Sequence, residues 1–562
     1  MSARTALTLA SLLAACAPPS GPASGPETRE AAPGADARPD GGGVEAPRTS
    51  FVRVPLHDAP QWRSDYPPRC TLGHIAACNA QLFTGGVAVR DLDGDGLEDV
   101  YLTRHDAPDL VLFNTPGGWT ERTVPGLDAD LPSNGAAFAD IDGDGDPDLL
   151  VGTVGGDRFH LFINDGRGGF EERAASRGAA QLDERWIHAT MSLCFGDVDL
   201  DGHLDLYTTE WRAPRRDLVR SHNALLLNRG ARAPGYFDDV TEAYGVDILD
   251  VARGGAWGFT AHFADLDADR YPELIVTADY GSSRLFWSAD GTDLVDGTEA
   301  AGVGTDENGM GSALGDYDGD GDLDLFVGSI YDDDCAAEGD CFWGHTGNRL
   351  YRNDGDRRFT DVAVEAGVAD GGWGWGARFF DFDHDGDLDL VQANGTMGTP
   401  EETGFHDENV RLFRNDGGRF VDVAEALGLV DRGMSRAVVT FDYDLDGDLD
   451  VLFTHNRAAP QLWRNDATEG RSWLVVRPVG SHENRDGVGA VVRVWTDLAA
   501  PPQLRVAGNG CGFLGHTDGR PHFGLGDVER LPRVEVFWPR SGRTTALEDV
   551  PARQVLVVTE PE

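Results

Sequence analysis

Lysine is missing from all 562 residues, so the 47 basic side chains are all arginine, set against 96 Asp and Glu. The gap reads as compositional bias and carries no function. The charge balance does carry one: a formal net charge of −49 excludes a nucleic-acid-binding surface and makes cations the natural partners. Long apolar runs are lacking too, and past the amino-terminal segment none reaches the length needed to span a bilayer. Apolar residues at helical spacing are scarce, so few helices are expected. HExxH, P-loop, GxSxG and paired CxxC motifs are absent, although a triad assembled from distant loops would leave no such mark. Abundant instead are Gly (73) and Pro (29), the punctuation of short strands joined by tight turns. The expected fold class is all-β.

The first residues read as an export signal: Arg4, an apolar run from Ala6 to Leu13, then small residues before a cysteine. Leu13-Ala14-Ala15-Cys16 resembles a bacterial lipobox, which implies cleavage before Cys16 and lipidation of its thiol. Residues 1–16 are then the signal, and the Pro/Gly/Ala-rich stretch 17–50 a tether unable to build a core. The expected location is outside the cytoplasm, lipid-anchored at the cell envelope, with membrane contact through the lipid alone. Export favours disulfides. Cys70 with Cys78 and Cys335 with Cys341 are close enough to close small loops, while Cys194 and Cys511 have no obvious partner.

The acidic residues are concentrated in a recurrent nine-residue segment, D-x-D-x-D-G-x-x-D, flanked by short apolar strands. Its side chains at positions one, three, five and nine are Asp91, Asp93, Asp95 and Asp99 in the first copy, and Asp140, Asp142, Asp144 and Asp148 in the second. The third and fourth copies have Asp197, Asp199, Asp201 and Asp205, then Asp265, Asp267, Asp269 and Glu273. The fifth, sixth and seventh have Asp316, Asp318, Asp320 and Asp324; Asp381, Asp383, Asp385 and Asp389; and Asp442, Asp444, Asp446 and Asp450. Successive starts lie 49 to 68 residues apart, room for about four strands per unit and in the range of propeller blades.

Oxygen ligands at that density suit Ca²⁺, which takes six to eight of them in flexible geometry, better than Mg²⁺, which prefers a rigid octahedron. Glycine at position six allows the positive φ that wraps the chain around an ion. Without a cation, two carboxylates about 4 Å apart repel by roughly 4 kcal/mol at an effective dielectric near 20. An EF-hand starts alike but needs Glu at position twelve and flanking helices. Here position twelve is Leu102, Val151, Thr208, Val276, Val327, Gln392 and Phe453, so up to seven β-hairpin calcium loops are expected. The Asp265 copy, with Arg270 in the glycine slot and Glu273 at the end, is the weakest.

A second signature follows most copies: an aromatic-rich strand, Asn-Asp-Gly as the turn, then Phe. Asn164-Asp165-Gly166 precedes Phe170, Asn353-Asp354-Gly355 precedes Phe359, and Asn415-Asp416-Gly417 precedes Phe420. Such turns favour tight hairpins. The seventh copy has Asn465-Asp466 but no Phe strand after it, and Phe51-Val52-Arg53-Val54 reads as the missing strand, closing the ring. With these residues the chain resembles the FG-GAP/VCBS repeat proteins, whose integrin-like propellers carry calcium loops. Asn484-Arg485-Asp486-Gly487-Val488-Gly489-Ala490, His522-Phe523-Gly524-Leu525-Gly526 and Val534-Glu535-Val536-Phe537-Trp538-Pro539 resemble the ASPIC/UnbV domain. The pairing marks the cartilage acidic protein family and its bacterial relatives. It implies a seven-bladed propeller over 51–468 and a small separate β domain over 469–562. Gly510-Cys511-Gly512-Phe513-Leu514 departs from the family pattern, which lacks the cysteine.

The resemblance implies a calcium-binding, adhesion-like scaffold for a protein or glycan partner, with no established reaction. The alternative is a calcium-dependent polysaccharide hydrolase or lyase. For that chemistry Trp186, His188, Trp257, His262, Trp373 and Trp375 are the candidates, because they lie ahead of acidic loops and could face a central channel. Aromatic faces bind sugars and His can shuttle protons; blade packing is the plainer use of the same residues.

Overall fold

The computed structural model describes residues 50–57, 83–105, 107–155, 158–181, 188–212, 223–248, 256–332, 344–395, 405, 408–456, 458–468, 470–480 and 484–561. Cys16, Cys70, Cys78, Cys335, Cys341 and Trp186, with the side chain of His188, lie outside them.

Each acidic segment joins the first two strands of a four-stranded antiparallel sheet. In the first blade these strands are Val87–Arg90, Asp99–Leu102, Leu110–Phe113 and Thr120–Glu121. The middle two are buried throughout and the last is exposed. Blades pack face to face, so their inner strands are covered on both sides, which is why they read as unbroken apolar runs rather than alternating ones. Seven such sheets follow one another, and their innermost strands touch in sequence until Ser435–Phe441 of the seventh meets Val87–Arg90 of the first. The result is a seven-bladed β-propeller. The innermost strands of blades two, three, four, six and seven carry register shifts, between Ser133 and Ala136 and between Ser435 and Val438 for example. An unpaired residue there adds twist where strands crowd the axis.

The ring closes as the missing Phe strand requires. Phe51–Val54 pairs antiparallel with Gln461–Asn465, placing Phe51 opposite Asn465, the register in which Phe170 faces Asn164 and Phe359 faces Asn353.

The carboxyl-terminal domain holds a three-stranded sheet of His522–Gly526, Ser472–Val479 and Gln554–Thr559, and a four-stranded sheet of Gln503–Val506, Val491–Trp495, Arg530–Trp538 and Arg543–Pro551. Leu474, Val492, Phe523 and Val536 form its own core. It is nonetheless not a free-standing appendage. Its Gly510–Leu514 loop enters the propeller axis, where the buried Phe513 ring lies 5.4 Å from both Phe259 and Trp375. Leu514 N–H donates to Met191 O at 2.9 Å and Leu514 O accepts from Val87 N–H at 2.8 Å, while Gly515–His516 adds a parallel strand beside Val87 and Ala88. Cys511 is disulfide-bonded to Cys194, 317 residues earlier. The two cysteines left without a partner by the sequence therefore pair with each other.

Candidate functional site: seven acidic loops on one face

All seven acidic segments share one wrapping pattern. At position one, Oδ2 accepts from the position-six amide in every copy: Asp91 from Gly96 at 3.0 Å, Asp197 from Gly202 at 3.0 Å, Asp442 from Gly447 at 2.9 Å, and likewise in the other four. At position five, Oδ1 accepts from the position-seven amide, as Asp95 does from Leu97 at 2.9 Å and Asp385 from Asp387 at 3.0 Å. The position-six residue has positive φ throughout, between +89° and +104°. Glycine tolerates this and Arg270, at +89°, does so under strain.

The position-nine carboxylate ties the loop to the third strand. Asp324 accepts from Tyr317 N–H at 3.2 Å and from Asn353 N–H at 2.8 Å; Asp205 accepts from Val198 at 2.9 Å and Asn228 at 2.8 Å. Glu273 does the same with Leu266 and Ser288, at 2.7 and 3.3 Å. Burial, reinforced by the neighbouring carboxylates and opposed by these amides, pushes Asp99 up to about 7, Asp148 to about 8 and both Glu273 and Asp324 to about 9.

Carboxylate oxygens converge to within 4.8 Å of one another in Asp91, Asp93 and Asp99; Asp140, Asp142 and Asp144; Asp197, Asp199 and Asp205; Asp265, Asp267 and Asp269; and Asp316, Asp318 and Asp320. Asp95 and Asp201 stand outside the converging sets of their loops, as do Asp148, Glu273 and Asp324. The sixth and seventh loops, Asp381, Asp383, Asp385, Asp389 and Asp442, Asp444, Asp446, Asp450, have the same wrapping and position-nine bonds. Asp142 Oδ1, Asp197 Oδ1 and Asp316 Oδ1 are buried without a hydrogen-bond partner. A buried, partnerless carboxylate oxygen within a group of carboxylates is chemistry that a hard cation would satisfy. In the Asp265 loop Arg357 reaches Asp267 at 2.5 Å and lies 3.7 Å from Asp269; the position-three carboxylates of three other loops are paired as well, Asp93 with Arg122 at 2.8 Å, Asp142 with Arg177 at 3.0 Å and Asp383 with Arg471 at 3.2 Å.

The carboxyl-terminal domain sits over this face. Arg485 donates to Gly143 O at 3.3 Å, Arg471 to Asp383 O at 2.7 Å, and His522 Nε2 to Gly447 O at 2.8 Å.

Sequence reasoning took the Asn of Asn-Asp-Gly for a turn residue and missed its larger part. Its side-chain amide reaches across to the position-two carbonyl of the preceding blade: Asn228 to Ile141 at 2.9 Å, Asn353 to Leu266 at 3.0 Å, Asn415 to Tyr317 at 2.8 Å, Asn465 to Phe382 at 2.7 Å. Asn114 reaches Tyr443 O at 2.5 Å and so joins the first blade to the seventh. One signal was available: Asn465 persists where the following Gly does not.

The sequence pattern of the FG-GAP-like repeat matches residues 91–151, 265–327 and 337–391, and that of ASPIC and UnbV matches residues 480–562. The chain carries FG-GAP-like repeats and an ASPIC/UnbV domain. It is a distant homologue of cartilage acidic protein 1. The human protein is 26% identical over 410 residues, covering 61% of this chain and 59% of that protein; the mouse protein is 26% identical over 436 residues, covering 65% and 64%. The chain thus spans about three fifths of the length of these curated relatives. Among solved structures, that of BBS1N in complex with ARL6DN, soaked with mercury, covers 74% of this chain and 98% of its own, with a TM-score of 0.40 and 11% identity.

In this FG-GAP-repeat protein Trp257, His262, Trp373 and Trp375, the catalytic candidates whose side chains are described, are core residues. Trp257 packs edge-on against Trp211 and Tyr280, and Trp373 stacks on Trp375. Trp375 donates to Gly395 O at 2.5 Å and lies under Arg436. His262 is buried against Ser312 at 3.0 Å, and burial, helped by Arg378, pushes it down to about 3. The rings do gather near the axis, but Phe83 and Phe513 fill the space between them, so they form a packed plug rather than a pocket.

Proposed function

We propose that this FG-GAP-repeat, ASPIC/UnbV protein is an extracellular scaffold whose loops hold calcium to stabilise a propeller that presents its surface to a protein or glycan partner. The observation that carries it is the set of buried, partnerless oxygens on Asp142, Asp197 and Asp316, each within a converging carboxylate group. A bound Ca²⁺ would draw on the position-one and position-three carboxylates and offset their mutual repulsion. The ions are structural in this reading, and the disulfide between Cys194 and Cys511 fits an oxidising compartment. The test is elemental analysis of purified protein together with thermal melting in calcium and in excess chelator. Several calcium ions per chain and a melt lowered by chelation are expected, because a ligand of the native state alone stabilises it. A metal-free protein with an unchanged melt refutes the proposal. Anchoring through Cys16 belongs to the same reading: Cys16→Ser should release the protein from the membrane fraction, and retention of the variant there counts against lipidation.

A further inference from the structure

We infer that the cleft between the rim of the first two blades and the carboxyl-terminal domain binds an acidic oligosaccharide. This rests on the extracellular scaffold reading and names its ligand class. The cleft measures about 680 Å³ and is lined by Arg90, Arg122, Arg167, Arg477 and Arg520. Five guanidinium groups against five aspartates in the same lining, Asp91, Asp93, Asp146, Asp486 and Asp518, are an enrichment in a chain where carboxylates outnumber arginines two to one.

The arginines fall into two sets. Arg90 is fixed by Asp486 at 2.6 Å, Arg520 by Asp518 at 2.5 Å and by Glu98, and Arg122 by Asp93 at 2.8 Å while it lies 4.2 Å over the Phe113 ring. Arg167 and Arg477 are exposed and make no ion pair among the described residues. The first set is a pre-organised base and the second presents free forks to an incoming anion. Guanidinium pairs carboxylate and sulfate bidentately. Asp146, Asp486 and Asp518, which are not among the calcium-loop carboxylates, stand between the arginines and can accept from hydroxyls. A ligand with anionic groups and hydroxyl donors on one backbone satisfies both; an acidic peptide would set its carboxylates against these aspartates.

Behind the Asp518–Pro521 wall lies a second cavity of about 160 Å³. Glu98 and Arg378, 6% and 7% exposed, line it, and each has a buried polar atom without a partner, Oε2 and Nε. Polar atoms left unsatisfied at a ligand-sized opening call for a ligand or ordered water to complete them.

The test uses the full chain in calcium-containing buffer, with fluorescein-labelled tetragalacturonate followed by anisotropy, and with cellotetraose and an oligoglutamate peptide as competitors. Tetragalacturonate should bind, neither competitor should displace it, and R167E/R477E should weaken it by at least about tenfold, since two charge-assisted contacts are lost. An unchanged melting curve for the exposed double variant shows that its fold is retained. Absence of tetragalacturonate binding, displacement by oligoglutamate or cellotetraose, or full affinity in the folded double variant overturns the inference. A chelator-sensitive melt with no oligosaccharide bound removes the cleft assignment alone; a chelator-insensitive, metal-free protein removes the scaffold reading whatever the cleft does.

Discussion

Replacing Asn353 with alanine tests whether the blades are joined by side-chain amides. Asn353 is 1% exposed; its Nδ2 donates to Leu266 O of the neighbouring blade at 3.0 Å and to Leu323 O at 3.3 Å, and its Oδ1 accepts from Gly355 N–H at 3.1 Å. Alanine deletes three bonds and leaves three backbone groups to find new partners. At about 1 kcal/mol net per neutral bond, and more for a group left buried and unpaired, the loss is about 4 kcal/mol. Asn164 supplies the control within the same molecule. Its amide donates to Pro147 O of its own blade at 3.1 Å and its Oδ1 accepts from Gly166 at 3.1 Å, so N164A should cost about 2 kcal/mol. With an unfolding entropy of about 2 cal/mol/K per residue over roughly 500 folded residues, each kcal/mol moves Tm by about 1 °C. Calorimetry and urea unfolding should therefore rank N353A about 2 °C and 2 kcal/mol below N164A. Equal losses, or a larger one for N164A, would refute the idea that the cross-blade bond matters.

The remaining expectations concern the loops, the plug and pH. Asp144→Ala and Asp320→Ala should lower the calcium-saturated Tm more than Asp269→Ala, whose loop has Arg270 in the glycine slot and whose Asp269 itself lies 3.7 Å from Arg357; equal shifts contradict that ranking. Arg270→Gly should stabilise by about 1 kcal/mol by relieving a positive φ on a side-chain-bearing residue, read from urea midpoints. Replacing Cys194 and Cys511 together by serine should cost about 6 kcal/mol on the loop-entropy estimate for a 317-residue separation, and limited proteolysis should then release a carboxyl-terminal fragment. Burial, with Arg378 beside it, pushes His516, like His262, down to about 3. Both stay neutral in the fold but charge in the unfolded chain below its ordinary value of about 6.5. The stability they contribute is complete above that pH and lost as pH falls toward about 3, so H262N/H516N at saturating calcium should show a shallower acid slope.

Local, repeated chemistry was legible. The acidic loops, the positive φ of position six and the Phe51 strand all followed from residue types at fixed spacing, because each feature is set within a few residues or recurs in every blade. What escaped is long-range. The Asn amides look like turn residues until the neighbouring blade is in place. Cys194 and Cys511 are too far apart for spacing to suggest their bond, and Gly510–Leu514, which departs from the family pattern, could not be read as a plug without the axis it fills. The position-nine carboxylates read simply as ligands, yet each also ties its loop to the third strand, and in three loops it stands outside the converging set. Trp257, Trp373, Trp375 and His262 looked available for chemistry because they precede the loops; that same placement puts them where inner strands converge and water is excluded.

Pairing Phe51–Val54 with Gln461–Asn465 also imposes a timetable on biogenesis. The Phe51–Val54 strand has nothing to zip onto until more than four hundred later residues have emerged, and contacts so remote are slow to form. Throughout that wait the early strand keeps a bare edge, the kind of surface that recruits other chains. A chaperone that shields this edge during synthesis would therefore govern yield more than any property of the finished ring.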